Sequence, residues 1–174
     1  VIYLYKDKKE LQNNLTGNIT KVTETNCNNG DQRLNIYYRD LMPKFWVPDH
    51  TYSVKSRLEW LAGYLDADGT VYRNIESEMV VCNSINLDFL KELREMLEIT
   101  GVSGKIRLVA EEGYRLLPDG NGNYKEYYCK DLYRLLISSG DTQKLLDLGL
   151  DLKRLKINKR KTQREAKRYE VITD

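Results

Sequence analysis

Apolar residues recur at helical spacing in two windows of this chain and alternate with polar ones in several others. Leu58, Leu61, Ala62 and Leu65 mark one face of a helix over residues 53–66. Ser56 with Glu59 three positions later has the pattern of a capping box, and Gly69 is a natural stop. Leu87, Leu90, Leu93 and Leu97 mark an amphipathic helix from Asn86 to Thr100, ended by Gly101. A short third helix, Thr142 to Leu148, follows Asp141 and ends at Gly149. Between these lie strand patterns at Thr70–Tyr72, Glu78–Cys82 and Lys105–Ala110. The glycine-rich loop Leu117–Asn123 leads to a further run, Tyr124–Cys129, and then to the apolar strand Tyr133–Ser138. Upstream, Ile2–Tyr5 and Arg33–Tyr38 predict strands and Lys8–Leu15 a short helix. Thr23–Gly30 reads as a polar loop with a turn at Asn29-Gly30, and Pro43 and Pro48 mark an extended connection.

The order from residue 53 is helix, two strands, helix, two or three strands, helix, which is an α+β pattern. It divides the chain into a first segment, 1–50, a half-domain, 51–157, and a basic tail or linker, 158–174. No second copy of the pattern occurs within the chain.

Composition narrows the classes. With 41% hydrophobic residues in 174, a packed core is within reach and a disordered tail is excluded. A net charge of +2 is too mild to argue for nucleic acid by itself, so the placement of charge matters more. Lys and Arg crowd the stretch from Lys153 to Arg168. Thirteen tyrosines against two phenylalanines place hydroxyls on predicted strands, where they can pack and still reach a phosphate or a base. Cys27, Cys82 and Cys129 have neither zinc spacing nor an even count, which predicts reduced thiols and an intracellular setting. No apolar run reaches the roughly 18 residues of a membrane span. The chain begins without Met, and its first apolar run precedes its first charges, which argues against a signal peptide and for a piece cut from something longer.

One segment carries most of the chemistry: Leu61-Ala62-Gly63-Tyr64-Leu65-Asp66-Ala67-Asp68-Gly69. Glycine inside a helix costs ~1 kcal/mol relative to alanine, and close approach of a second helix is a reason to accept that cost. Two acids at a helix C-terminus oppose the macrodipole and call for a compensating cation. Two such helices packed together would bring two carboxylates to one end, a donor set that suits magnesium and phosphodiester hydrolysis. A calcium loop is excluded, because the twelfth position is Ser77 counted from Asp66 and Met79 counted from Asp68, where a glutamate is needed.

These nine residues resemble the signature of the LAGLIDADG homing endonucleases, with Tyr64 an ordinary variant. The element order resembles that family's αββαββα half with its curved antiparallel DNA-binding sheet. Phe45-Trp46-Val47-Pro48, Arg134-Leu135-Leu136-Ile137-Ser138 and Leu145–Leu155 are similar to the corresponding parts of endonuclease domains in inteins. The resemblance covers residues 45–157, and the first 44 only loosely, as the tail of a preceding half. It implies a Mg²⁺-dependent DNA endonuclease, with Mn²⁺ as substitute, that cuts both strands of a long site. It implies that Asp68 and the Gly69 carbonyl bind the catalytic metal, and that Leu61, Ala62, Gly63, Leu65 and Asp66 belong to the helix interface, Asp66 bracing the helix end. It implies major-groove contacts from the strands, for which Tyr72, Asn74, Glu76, Lys105, Arg107, Lys125 and Tyr127 are candidates. Lys153 and Arg154, with Lys156, Lys159, Arg160 and Lys161, are candidates for phosphate contacts. The family also places a lysine near the end of the last strand; here that position reads Ile137-Ser138-Ser139 and the nearest lysine is Lys144.

The expected partners are double-stranded DNA and a second LAGLIDADG half, either another copy in a homodimer or a missing N-terminal half of the same chain. Two other functions stay open on this fold: a DNA- or RNA-binding module that has lost cleavage, and an insert that supports protein splicing.

Overall fold

The computed structural model describes residues 1–27, 30–73, 77–119 and 122–158. The first 38 residues build a small three-stranded antiparallel sheet: β1 (Ile2–Tyr5), β2 (Ile19–Asn26) and β3 (Gln32–Tyr38), in the order β1-β3-β2. A 3-10 helical segment, Lys6–Asn14, covers one face. Leu4, Leu34 and Ile36 are buried there with Ile2, Leu11, Leu15 and Tyr38 around them. The polar loop expected at Thr23–Gly30 is therefore corrected over Thr23–Asn26, which is strand. Thr23 and Thr25 are β-branched and sit opposite Asn35 and Arg33 of β3, so pairing overrides their polarity. The helix expected at Lys8–Leu15 is 3-10, not α. It buries no residue completely, so packing gives little support for a longer, regular helix.

The larger unit begins at α1 (Val54–Asp68) and continues through β4 (Gly69–Arg73), β5 (Glu78–Ser84), α2 (Leu87–Ile99), β6 (Gly104–Ala110), β7 (Gly113–Pro118), β8 (Tyr124–Cys129), β9 (Leu132–Ile137) and α3 (Ser139–Asp147). Strand β7 was not expected; only its last two residues, Leu117 and Pro118, fall in the stretch read as a glycine-rich loop. Strands β4-β5-β9-β6 form one antiparallel sheet, and β7-β8 a separate two-stranded ribbon inserted between β6 and β9. Without the ribbon the order is αββαββα.

Strand alternation sends Val80, Cys82, Leu135 and Ile137 into the core, where Leu58, Leu61 and Leu65 of α1 and Phe89, Leu90, Leu93 and Leu97 of α2 meet them. Truncating such a leucine to alanine costs about 2–5 kcal/mol. Ser53, not Ser56, caps α1: its hydroxyl accepts from the Ser56 amide at 3.1 Å, and Glu59 instead lies 3.9 Å from Lys55. Ser53 wins because the helix starts one turn earlier than Ser56 can serve. The lead-in to α1 docks through aromatic rings: Phe45 on Phe89 at 5.4 Å and Trp46 on Trp60 at 6.2 Å. Tyr64 is stacked on Trp60 at 5.6 Å. Burial pushes the Tyr64 hydroxyl above its usual range and the Cys82 thiol up to about 12, so both are neutral at physiological pH.

After α3 the chain runs back as an extended strap, Leu150 to Asn158, anchored by buried Leu150 and Leu155. It crosses the ends of α1, β4 and β5. Arg73 donates to the Lys156 carbonyl at 2.5 Å, and the Asn158 amide donates to Glu78 at 2.5 Å. That amide holds the Glu78 carboxyl below its usual range, with help from Arg73. No helix among the described residues is long and apolar enough to cross a membrane.

The tightest anchor is Asp66, whose carboxylate accepts from three successive amides of the strap, those of Lys153, Arg154 and Leu155. Replacing Asp66 by alanine is expected to destabilise the protein by about 3 kcal/mol. Urea unfolding would measure this, and a change below about 1 kcal/mol would show that the strap does not depend on the carboxylate.

A second prediction concerns acid. Glu78 has a lowered folded-state pKa, so its contribution is full above the unfolded carboxylate range and is lost as pH falls through the folded value. Hydrogen exchange of the Asn158 amide should accelerate, relative to the intrinsic rate, as pH falls below the ordinary carboxylate range in the native protein. The Glu78→Gln variant should lack this acid step, and a persistent step would assign it elsewhere.

Candidate functional site

Asp66 and Asp68 are two positions apart, with only Ala67 between them, so the turn of the helix points them to different sides. Asp66 faces inward and is 2% exposed. It accepts from the amides of Lys153 at 2.7 Å and of Arg154 and Leu155 at 3.0 Å each. Asp68 faces outward, its side chain 66% exposed, with Lys8 Nζ at 3.7 Å. The Arg154 guanidinium donates to the Asp66 carbonyl and, at 2.9 Å, to that of Gly69, and lies 3.7 Å from Asp7. The compensating cation that the sequence called for at this helix end is thus first of all Arg154, a cation placed where the macrodipole favours one.

Gly69 is required sterically. A Cβ there would stand 2.5 Å from the Leu65 carbonyl oxygen. The helix therefore passes directly into β4, and the acid end and the sheet form one rigid corner.

Asp68 can serve as one carboxylate ligand of a divalent metal. The Gly69 carbonyl has Arg154 on it, which makes it a weaker candidate. No group of three or more His, Cys, Asp or Glu able to hold an ion occurs among the described residues. Asp68 alone offers one carboxylate, so an ion there would need further ligands from outside the described residues. Lys144 is paired with Asp141 at 2.9 Å on α3. Lys8 is the lysine that stands at Asp68, and it was missed because it comes from the N-terminal segment, far away in sequence.

Of the proposed interface residues on α1, Leu61, Ala62, Leu65 and Asp66 are buried in the unit's own interior. Gly63 is on the outer side, and a Cβ added there would meet nothing within 4 Å.

The open face of the four-stranded sheet collects Tyr72, Lys105 and Arg107, as their alternation required. Tyr72 lies opposite Met79, and Lys105 opposite Leu136. Arg107 lies opposite Arg134, which lies in turn opposite Asn83 and donates to its Oδ1 at 3.0 Å. Arg134 and Asn83 were missed. The signal was present: Arg134 is the one charge in an otherwise apolar and aromatic strand. Two arginines directly opposite each other repel, and an anion bound over the sheet removes that repulsion.

Lys125 and Tyr127 are not on this sheet. They share a face of the β7-β8 ribbon with Arg115 and Leu117. The ladder breaks where Asp131 takes the Glu112 amide at 2.7 Å, so the ribbon is a separate arm. Asn74, Glu76, Lys159, Arg160 and Lys161 lie outside the described residues. Lys153 pairs with Asp151, the Lys156 ammonium donates to the Lys153 carbonyl at 3.1 Å, and Arg154 is committed to the helix end. Lys153, Arg154 and Lys156 thus serve the strap first.

The αββαββα order around an antiparallel sheet is the arrangement that the resemblance implied. A model of the LAGLIDADG-like domain matches residues 55–150, and the chain belongs to that family, whose members are generally nucleases and typically use divalent metals. The chain is 43% identical over 167 residues to a protein named ribonucleoside-diphosphate reductase large subunit, from Invertebrate iridescent virus 6. The match covers 95% of this chain and 17% of that protein.

Replacing Gly63 by alanine should stabilise the isolated chain by roughly 0.5–1 kcal/mol, because the site is open and the helix gains propensity. Thermal unfolding tests this; a loss of stability would show that the outer side of α1 is already packed.

Proposed function

We propose that this chain is one half of a homing endonuclease, carried as an intein-type insertion in a larger host protein, that cuts both strands of a long DNA site with Mg²⁺. The observation that carries the reading is the corner at Gly69. It couples the outward carboxylate of Asp68 to a sheet whose open face bears Lys105, Arg107 and Arg134. A duplex lying on those cations would bring a phosphodiester to the acid without any hinge between them. The 17% share of a reductase subunit is what an insertion in a longer host would produce.

In this reading residues 51–157 are the half-domain, and 1–50 are the tail of a preceding half or an N-terminal extension of this one. Asp68 holds the metal from this side, and a second half supplies the facing acid. When bound, Mg²⁺ polarises the phosphate and acidifies the attacking water. Mn²⁺ would substitute. Lys105, Arg107 and Arg134 hold the backbone or read purine edges from the major groove, and Tyr72 and Asn83 add hydrogen bonds. The β7-β8 ribbon, with Arg115, Lys125 and Tyr127, has the dimensions of an element that the major groove admits. The bare side of α1 at Gly63 is where the second helix packs, in a homodimer or against a preceding half. The three free cysteines suit a reducing, intracellular setting.

A second reading has its own support. The Lys8–Asp68 pair, and the absence of a lysine at the end of β9, favour a domain that binds DNA or RNA without cutting.

Cleavage of a plasmid bearing the host gene without the insertion separates the two. Double-strand breaks with Mg²⁺, absent in EDTA and abolished in Asp68→Asn, are expected. Binding by both proteins without breaks in either would sink the nuclease reading and leave the binding module. For the sheet, Arg107→Gln is expected to lower the slope of log K against log salt by about 1 and to weaken binding by about 1–3 kcal/mol. The same change should raise the stability of the free protein by a few tenths of a kcal/mol, because it removes the Arg107–Arg134 repulsion.

A further inference from the structure

The β1-β3-β2 sheet has two unlike faces. One is the small core under the 3-10 segment. The other gathers Tyr3 and Tyr5 of β1, Arg33, Asn35 and Tyr37 of β3, and Lys21, Thr23 and Thr25 of β2, as the register dictates. Glu24, the only acid in these three strands, points to the covered side, 3.8 Å from Lys9. The outer face therefore carries two cations and no carboxylate.

Its polar groups are preorganised. Asn35 is 2% exposed, and its amide nitrogen donates to the hydroxyls of Thr23 at 3.0 Å and Thr25 at 2.8 Å. Its Oδ1 accepts from Arg33 Nε at 2.7 Å. The guanidinium also donates to the Tyr5 hydroxyl at 3.4 Å and lies 4.5 Å from the centre of the Tyr3 ring. A core polar residue is thus used to fix an arginine in place on a surface. Tyr3 and Tyr5 remain 51% and 39% exposed. Fixed arginine, open aromatic rings and hydroxyls, with no acid among them, complement a polyanion that also offers flat bases and hydrogen-bonding edges.

We infer that this outer face is a second DNA-contacting surface, occupied by duplex flanking the segment held on the four-stranded sheet. It lies outside residues 55–150, and it rests on the proposed nuclease reading. The 3-10 segment under this sheet makes the Lys8–Asp68 and Asp7–Arg154 pairs, which hold the unit beside the C-terminal end of α1.

The test uses the full chain and a fluorescent duplex containing the host site with long flanks. Anisotropy gives affinity against salt, and hydroxyl-radical footprinting gives the protected length. Lys21→Ala removes an exposed cation outside the Asn35 network, and Arg33→Ala removes the fixed one. Each should weaken binding about 5- to 10-fold, lower the salt slope by about 1 and shorten the footprint at one end. The melting temperature of Lys21→Ala should be unchanged, which separates contact from folding. Wild-type binding with identical affinity, slope and footprint in both variants overturns the inference and leaves the nuclease reading standing. A change in sedimentation mass without a change in salt slope would also overturn it, because the face would then hold another copy of the chain. Failure of the wild type to bind duplex at all defeats both.

Discussion

Asp66 is the point at which the chain closes on itself. Its carboxylate takes three consecutive amides of the strap, which would otherwise turn polar backbone toward the end of a packed helix. Because the strap is held there, Arg154 reaches the carbonyls of Asp66 and Gly69 and neutralises the negative end of α1. The strap then continues to Arg73 and Glu78, fixing the free ends of β4 and β5. The position of Asp68, the start of the sheet and the docking of the 3-10 segment all follow from this closure.

The division between the two acids follows from helix geometry. One of them works inside the protein and the other outside it. Lys8 at 3.7 Å partly offsets the charge of Asp68, and an exposed pair of that kind is weak and sensitive to salt. A divalent ion or a phosphate-bound metal can displace such a partner readily. The same logic holds on the sheet, where Arg107 and Arg134 face each other in the free protein at some cost to stability. The arginine pair is mildly unfavourable in isolation and becomes favourable under an anion, whereas the Lys8–Asp68 pair is favourable but too weak to bar a competing cation.

Much of this was legible in the sequence, because it is written in short-range periodicity. The heptad-like leucines of α1 and α2, the stop at Gly69 and the alternation around Lys105 and Arg107 gave the αββαββα order and the sheet face. What could not be read depends on contacts between distant segments. Thr23–Asn26 looks like a loop until Arg33 and Asn35 stand opposite it. Gly113–Pro118 becomes a strand only by pairing with Tyr124–Cys129. Lys153 and Arg154 look like free cations because nothing nearby reveals that Asp66 receives their amides. Lys8 reaches Asp68 only through the fold, and Arg134 was hidden by the apolar residues around it.

The separation of Asp66 from Asp68 has an evolutionary consequence. Loss of Asp66 takes the acceptor away from three strap amides and so acts through the fold. Loss of Asp68 removes an exposed carboxylate and leaves the core intact. Asp66 is therefore constrained by folding whatever the chain does, while Asp68 is constrained only by the task of an exposed acid, and the two positions can diverge independently.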